Sequence, residues 1–128
     1  MGLPAAKQGD QIVATDFHII VPPPPAAPFP APTPFAGQID GQLSSDVNLM
    51  GRPAAVLGST ATNTPIHIPV GGNFQTPPKN QGEVITGSAT VFINGKPAAR
   101  SSDTARTCND PTDLPVGQVV ASGSVMIG

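Results

Sequence analysis

A short motif occurs three times in the 128-residue chain, and this internal repeat restricts the possible folds more than any other feature of the sequence. The copies span 2–9, 51–58 and 95–102, and each opens with glycine, one variable residue and Pro-Ala-Ala. Glycine permits a positive φ and proline fixes its own φ, so the motif suits a tight hairpin turn. Three copies with matching surroundings predict one structural unit that is used three times.

The strands that precede the motif indicate how the repeats are joined. An alternating strand precedes the second copy at 46–51 and the third at 89–95, whereas nothing comparable precedes the first. The final residues, 123–128, repeat that strand without a Pro-Ala-Ala continuation. Pairing of the first and last segments would complete the missing repeat and leave fewer exposed strand edges. We therefore predict an all-β fold, a small pseudo-threefold β-cone of three permuted repeats in which the N- and C-terminal strands pair.

The chain is expected to form a single domain over residues 1–128, because this length suits one small core. Its parts are three repeat cores, near 45–58, near 88–102, and at 122–128 joined with 2–9, together with a proline-rich loop at 22–34. The predicted core residues lie in the strands of the repeats: Val47, Leu49, Val91, Ile93, Val125 and Ile127.

Charged residues are scarce, and this excludes one class of partner. They make up 11% of the chain, against roughly 25% in an average soluble domain, and the net charge is −2. No basic stripe is available to follow a phosphate backbone, so we expect no nucleic-acid partner. Proline and glycine are abundant, at 17 and 14 residues, but apolar residues still reach 38%. This balance favours β-structure joined by stiff loops over disorder.

The sequence has one cysteine, Cys108, so no internal disulfide can form. It shows neither an apolar secretion signal nor an apolar run of about 20 residues that could anchor it in a membrane. We therefore expect synthesis in the cytoplasm without a signal peptide. Release from the cell would need a larger machine that carries the chain.

Both histidines and the cysteine occupy similar places in the three repeats. Counted from the first glycine of each repeat, His18 and His67 lie 16 residues on, and Cys108 lies 13 residues on. Each alone is most simply an ordinary buried side chain. Under threefold symmetry, however, all three approach the axis, and imidazole nitrogen and thiolate sulfur are zinc ligands. The sequence predicts a metal site, with zinc favoured and iron as the alternative.

A closed structural zinc site has four ligands, and the repeats supply three. Water, a buried hydroxyl, or a carboxylate such as Asp16 or Asp103 are the candidates for the fourth position. An open fourth position is also how catalytic zinc sites are built, which keeps a small zinc hydrolase as an alternative. No acid–base group with a clear placement accompanies the three residues. A structural metal that staples a small fold is therefore the favoured interpretation.

The third copy of the motif reads Pro-Ala-Ala-Arg at 97–100, and the other two read Pro-Ala-Ala-Lys and Pro-Ala-Ala-Val. In these copies the chain resembles the PAAR-repeat proteins. Its segments 45–51, 58–65 and 107–110 resemble the branch found in extracellular contractile injection systems and related phage-tail-like and type VI secretion-like particles. The resemblance implies a β-cone with a metal near its apex, held by three histidines and one cysteine. It also implies a broad base that sits on the blunt end of a trimeric spike of the VgrG type.

One segment departs from that pattern. In the branch, the proline-rich loop carries Pro-His-Pro-Phe, whereas 32–35 read Pro-Thr-Pro-Phe here. The resemblance therefore maps His18, His67 and Cys108 onto three of the four ligands. Thr33 stands where the fourth ligand is expected.

The resemblance implies a structural protein, not an enzyme, that caps and sharpens the spike of a contractile injection system for membrane puncture. One copy would sit on each spike trimer, and the target membrane would be contacted transiently. An adaptor that docks separate effector cargo at the spike tip is the main alternative. These interpretations share one location, the tip of an injection particle.

Overall fold

The computed structural model describes residues 2–128, and the regular structure in that range consists of β-strands alone. No helix in that range is long and apolar enough to cross a membrane. In chain order the strands are β1 (Leu3–Pro4), β2 (Gln11–Val21), β3 (Phe29–Gly41), β4 (Asn48–Leu49), β5 (Arg52–Pro53), β6 (Thr60–Asn63), β7 (Asn73–Phe74), β8 (Gln81–Val84), β9 (Phe92–Ile93), β10 (Lys96–Pro97), β11 (Thr104–Thr107), β12 (Leu114–Val120) and β13 (Met126–Ile127). The predicted all-β class is confirmed.

Three short antiparallel strand pairs form one end of the molecule, which we call the base; two are hairpins, the third is formed by the two ends of the chain, and we refer to all three as the hairpins of the base. β4 pairs with β5, β9 pairs with β10, and β13 pairs with β1. The first two hairpins turn at Met50-Gly51 and Asn94-Gly95, where all four φ values are positive, between 53° and 81°. Two consecutive positive φ values are typical of a type I′ turn, which matches the twist of a hairpin. The predicted pairing of the N- and C-terminal strands is confirmed by β13 and β1.

The Pro-Ala-Ala segments join the hairpins into a ring with pseudo-threefold symmetry. The second alanine of each copy donates its N–H to the carbonyl of the second alanine in another copy. Ala6 donates to Ala99, Ala99 to Ala55 and Ala55 to Ala6, with N···O distances of 2.9, 3.1 and 3.0 Å. All three alanines are buried. Their methyl side chains let the three backbones approach closely enough to bond one another in a cycle.

The longer strands form a closed barrel next to this ring. β2, β6 and β11 each begin directly after one copy of the motif. The strand order is β12-β11-β8-β6-β3-β2, and β2 closes the barrel by pairing with β12. Closure gives every strand of this barrel a neighbour on both sides, as the repeat interpretation required. The main core fills its interior: Ala6, Ile12, Phe35, Ile39, Ala55, Ala61, Val84, Ala99, Ala105, Cys108 and Val119.

The proline-rich segment differs from its prediction, because only 22–28 is a loop and residues 29–34 belong to β3. Pro30, Pro32 and Pro34 occupy alternate positions of β3 and are exposed. Ala36, in the same phase, donates its N–H to Asn63, on the side away from β2. Prolines at this spacing therefore remove only donors that would point away from β2. They stiffen a paired strand, not an unpaired loop.

Five of the six predicted core residues lie in a smaller apolar cluster beside the hairpins, and Val125 lies outside it. Ile93 is buried there, and the other five are partly buried. The main core combines the second alanine of each motif copy with apolar residues of the barrel strands, and its largest side chains, such as Phe35, Ile12 and Ile39, lie on β2 and β3. The prediction therefore found the minor cluster and missed the principal one.

At the end opposite the base, the barrel narrows. β2 runs for 11 residues, about 35 Å, away from the alanine ring. β3 pairs with its first ten residues, and β7 pairs with its last two. The loop at 22–28 and the segment 64–72 complete this end. We call the region formed by 17–36 and 64–74 the tip.

Candidate metal centre

Four buried side chains meet where the barrel narrows towards the tip. They are Asp16, His18, His67 and Cys108, and one ligand atom from each lies within 4.8 Å of the others. Three of the four are the residues predicted from the repeat spacing. The fourth, Asp16, is one of the two carboxylates considered from the sequence. A cluster of this composition could hold a metal ion.

Three separate parts of the chain supply these side chains, one after each copy of the motif. Asp16 and His18 are two residues apart on β2, so their side chains leave the same face of the strand. Cys108 follows directly after β11. His67 lies in 64–72, where its backbone N–H donates to Oδ1 of Asn80 at 2.8 Å. The repeat architecture therefore brings together residues that are up to 92 positions apart.

Within the described part of the chain, the imidazole ring of His18 is buried without a hydrogen-bond partner for either nitrogen. The residue is 1% exposed, and neither Nδ1 nor Nε2 has a hydrogen-bond partner among residues 2–128. A buried polar group without a partner costs roughly 1–3 kcal/mol, so native structures rarely leave one. The ring instead lies near the rings of His67 and Phe74, at centroid distances of 5.0 and 5.7 Å. A bound cation would give this imidazole the partner that it lacks.

Asp16 is fully buried and uses its two oxygens differently. Oδ1 accepts hydrogen bonds from the Thr107 hydroxyl at 2.5 Å and from Nδ2 of Asn109 at 3.4 Å. Oδ2 faces the cluster, 3.0 Å from Nε2 of His67 and 3.5 Å from Sγ of Cys108. One oxygen is therefore anchored outside the cluster, while the other is directed into it. This is the arrangement expected of a carboxylate that binds a metal through one oxygen.

His67 hydrogen bonds through both of its ring nitrogens. Nδ2 of Asn63 lies 3.2 Å from Nδ1, and Oδ1 of Asn63 accepts the Ala36 N–H at 2.9 Å, which orients the amide. Asn63 therefore donates to Nδ1, and the proton of the neutral ring lies on Nε2, facing Asp16. Coordination of a metal by Nε2 would move that proton to Nδ1 and require the Asn63 amide to turn.

The thiol of Cys108 is affected by the same burial. Burial raises the pKa of this thiol to about 11, and the neighbouring Asp16 carboxylate adds to the shift. The residue is 2% exposed. Without a cation, the thiol therefore keeps its proton at neutral pH. A divalent cation reverses this preference, because the thiolate is the form that binds metal.

The four donors fit a divalent metal. Imidazole nitrogen, thiolate sulfur and carboxylate oxygen are all zinc ligands, and the ligand atoms of a tetrahedral zinc lie about 3.3–3.8 Å apart. The contacts of Asp16 with His67 and Cys108, at 3.0 and 3.5 Å, are near that range. With Asp16 and Cys108 both ionised, a divalent ion makes the centre electrically neutral. Neutrality reduces the cost of burying charge.

Two other residues considered from the sequence lie outside the cluster. Thr33 is paired with Asp16 across β2 and β3, and its hydroxyl donates to the Asp16 backbone carbonyl at 3.2 Å. Asp103 accepts hydrogen bonds from the backbone N–H and the guanidinium of Arg100. Its carboxylate is therefore hydrogen-bonded to Arg100, in the turn that precedes β11. Asp16, not Asp103, is the carboxylate that the fold brings to the histidines and the cysteine.

A family model described as the PAAR motif matches residues 75–128. The matched part contains the third copy of the repeat, Cys108 and β13, and it supports a PAAR-repeat protein. His18 and His67 lie outside it. No curated protein matches the chain.

Proposed function

We propose that this chain is the metal-stabilised tip that caps and sharpens the trimeric VgrG-like spike of a contractile injection system. The observation that carries the proposal is the ring of three hairpins, joined by a cycle of alanine hydrogen bonds, at one end of the molecule. A single chain with pseudo-threefold symmetry can meet a true threefold axis with similar contacts in each third. The match to the PAAR motif supports the same conclusion.

The base has the surface that such a cap needs. A trimeric β-helix ends in strand edges that require cover. Apolar side chains are exposed on all three hairpins of the base: Leu3, Met50, Phe92 and Met126. Exposed apolar residues grouped on one face indicate a contact with another protein. We therefore assign the base to the spike, with one copy of this chain on each trimer.

The metal centre would hold the narrow part of the cone together. Asp16, His18, His67 and Cys108 would bind the ion, with zinc favoured and iron as the alternative. The metal would supply the cross-link that joins β2, the segment 64–72 and the end of β11. Binding energy at a structural site contributes directly to folding. A stiff narrow end suits a particle that is driven through a membrane by force generated elsewhere.

The tip differs from the base in its chemistry. Within the tip, 17–36 and 64–74, the only ionisable side chains are His18 and His67 of the buried cluster. Eight of the thirteen residues in 22–34 are proline and lack an N–H donor. Hydrocarbon disfavours both charges and unpaired donors. These features support membrane puncture by this end and a mechanical role without catalysis.

The proposal is tested by binding to the spike. The chain mixed with the trimeric VgrG-like protein of the same particle should form a complex of one chain per trimer, measured by native mass spectrometry. Phe92→Asp, at the base, should abolish or strongly weaken the complex. Val116→Asp, a similarly exposed position on the barrel wall, is the matched control and should bind normally. Three chains per trimer, or no complex with the wild-type chain, would overturn the proposal.

A further inference from the structure

A carboxylate outside the four-residue cluster faces the unsatisfied histidine. Oδ1 of Asp110 lies 3.6 Å from Nδ1 of His18, and the Asp110 side chain is nearly buried, at 10% exposed. This separation is too long for a hydrogen bond, but a shift of a few tenths of an ångström would form one. Nδ1 has no nearer partner among residues 2–128.

The position of Asp110 is fixed by the strand that carries His18. Its backbone N–H donates to the Phe17 carbonyl at 2.9 Å, and its Oδ2 accepts the Ile19 N–H at 2.8 Å. Asp110 is therefore bound to both neighbours of His18 in the chain. These two bonds leave Oδ1 available for the imidazole and hold it opposite the ring.

We infer that Asp110 is the positioning residue of His18: it accepts a hydrogen bond from the N–H of Nδ1, which holds the proton there and leaves Nε2 unprotonated for the metal. A histidine that binds metal through one nitrogen commonly donates from the other to a carboxylate, which sets the tautomer and increases ligand basicity. The inference rests on the proposed metal centre. It assigns a role to a residue that binds no metal itself.

The carboxylate also borders the route from solvent. A pocket of about 270 Å³ is lined by His18, Cys108, Asp110, Lys79 and Asp113, so it reaches two residues of the cluster from outside. Nζ of Lys79 forms an ion pair with Oδ2 of Asp113 at 2.6 Å. Lys79 therefore does not compete with His18 for the Asp110 carboxylate. The His18 ring is therefore the ionisable group that lies against Asp110 in this pocket.

Asp110→Asn tests the inference without a change in size. The asparagine oxygen can still accept the Ile19 N–H, but its NH₂ group would then face Nδ1 and favour a proton on Nε2, the wrong tautomer. We expect zinc affinity, measured by competition with a chromogenic chelator, to fall about 10- to 100-fold. Asp40→Asn, which removes an exposed acid of β3 outside this pocket and leaves the Lys79–Asp113 pair intact, is the matched control and should retain wild-type affinity.

Two further measurements separate positioning from folding and from failure of the metal site. The melting temperature of the metal-free Asp110→Asn protein should stay close to that of the metal-free wild type, because the strand contact to Ile19 is kept. The chain has two histidines, so long-range ¹H–¹⁵N spectra of the zinc-bound wild type should resolve the His18 ring with its proton on Nδ1. Equal zinc affinity of Asp110→Asn and wild type, or a proton on Nε2 of His18, would overturn the inference. A wild-type chain that binds no zinc would instead overturn the metal centre itself.

Discussion

Cys108 is the only sulfur ligand in the cluster, and it is the residue whose loss should most clearly reveal a metal. We expect Cys108→Ser to lower both the zinc content and the melting temperature. Zinc content is measured by inductively coupled plasma mass spectrometry. The reason is that the binding energy of a structural metal is also folding energy. Wild-type protein treated with a chelator is the control, and its melting temperature should match that of the variant. Unchanged stability in both would show that the site is dispensable.

The same thiol should make the metal-free protein sensitive to alkaline pH. Burial first, and the Asp16 charge second, raise the pKa of Cys108 from 9.0 to about 11 in the folded state. Because the folded-state pKa lies above the unfolded one, this contribution to stability is fully present below pH 9 and is lost as the pH rises towards 11.

Urea unfolding of the chelated protein between pH 8 and 11 measures this loss. Cys108→Ser removes the titrating thiol and should lose less stability over that interval. Equal losses in the two proteins would contradict the assignment of the shift to Cys108.

The sequence grouped His18, His67 and Cys108, but it could not choose between Asp16 and Asp103 as a fourth partner. Asp103 occupies a repeat position, eight residues after the leading glycine, and Asp10 occupies the same position in the first copy. Both carboxylates accept the N–H of the residue three positions earlier, so this position belongs to the turn. That signal was present in the repeat. Placing Asp16 in the cluster also required the pairing of β2 with its neighbours, which spacing alone does not give.

At the scale of elements, the hairpin turns of the base should respond to single substitutions. Gly95 has a φ of 78°, and a Cβ there would meet nothing within 4 Å. We therefore expect Gly95→Ala to destabilise the protein by about 1–2 kcal/mol through backbone strain alone. Urea unfolding at a fixed zinc concentration measures this change.

The equivalent turn provides the matched variant. Met50 and Asn94 occupy the same place in the two hairpins, and both have a φ of 53°. Methionine is poorly suited to a positive φ. Asparagine adopts this conformation more readily than methionine, so Met50→Asn should stabilise the protein slightly. A loss of stability with Met50→Asn, or none with Gly95→Ala, would contradict the type I′ interpretation.

The elements that the sequence revealed are those with a repeated pattern. The three hairpins and the pairing of β1 with β13 followed from half repeats at 2–9 and 123–128. The long hairpin of β2 and β3 did not, because its prolines indicate a loop when read one at a time. Prolines at 30, 32 and 34 are compatible with a strand because their alternate spacing removes N–H donors from one side only. The strand can form when its partner lies on the other side, as β2 does. The pairing register with β2, and not the proline content, therefore determines that 29–34 form a strand.

At the scale of the whole molecule, the repeat set the architecture but not the location of the core. Threefold hairpins explain the ring and the base, whereas the main core depends on β2, β3 and the strands that close the barrel around them. The result is a molecule with two unlike ends. The base combines exposed apolar residues with charged ones such as Arg52 and Lys96, while the tip carries no exposed charge.

The contrast between the two ends leads to a prediction about lipid contact. Ile66, Ile68 and Val70 are 64%, 65% and 78% exposed in the segment 64–72 of the tip. The chain contains neither tryptophan nor tyrosine, so one introduced tryptophan reports its surroundings without background. We expect the emission of Val70→Trp to shift to shorter wavelength with phosphatidylcholine vesicles and to be quenched by brominated acyl chains, since apolar surface transfers favourably from water to hydrocarbon.

Val120→Trp, on the barrel wall near the base, is the control for this experiment. Val120 is 49% exposed and pairs with Gln11, at the end of β2 remote from the tip. Its tryptophan should be quenched far less. Ile68→Asp, added to Val70→Trp, should reduce the quenching, because a carboxylate would have to lose its water to enter hydrocarbon. Equal quenching at the two positions would show that the tip has no preference for lipid, and no quenching at Val70→Trp would assign the exposed segment to a protein partner.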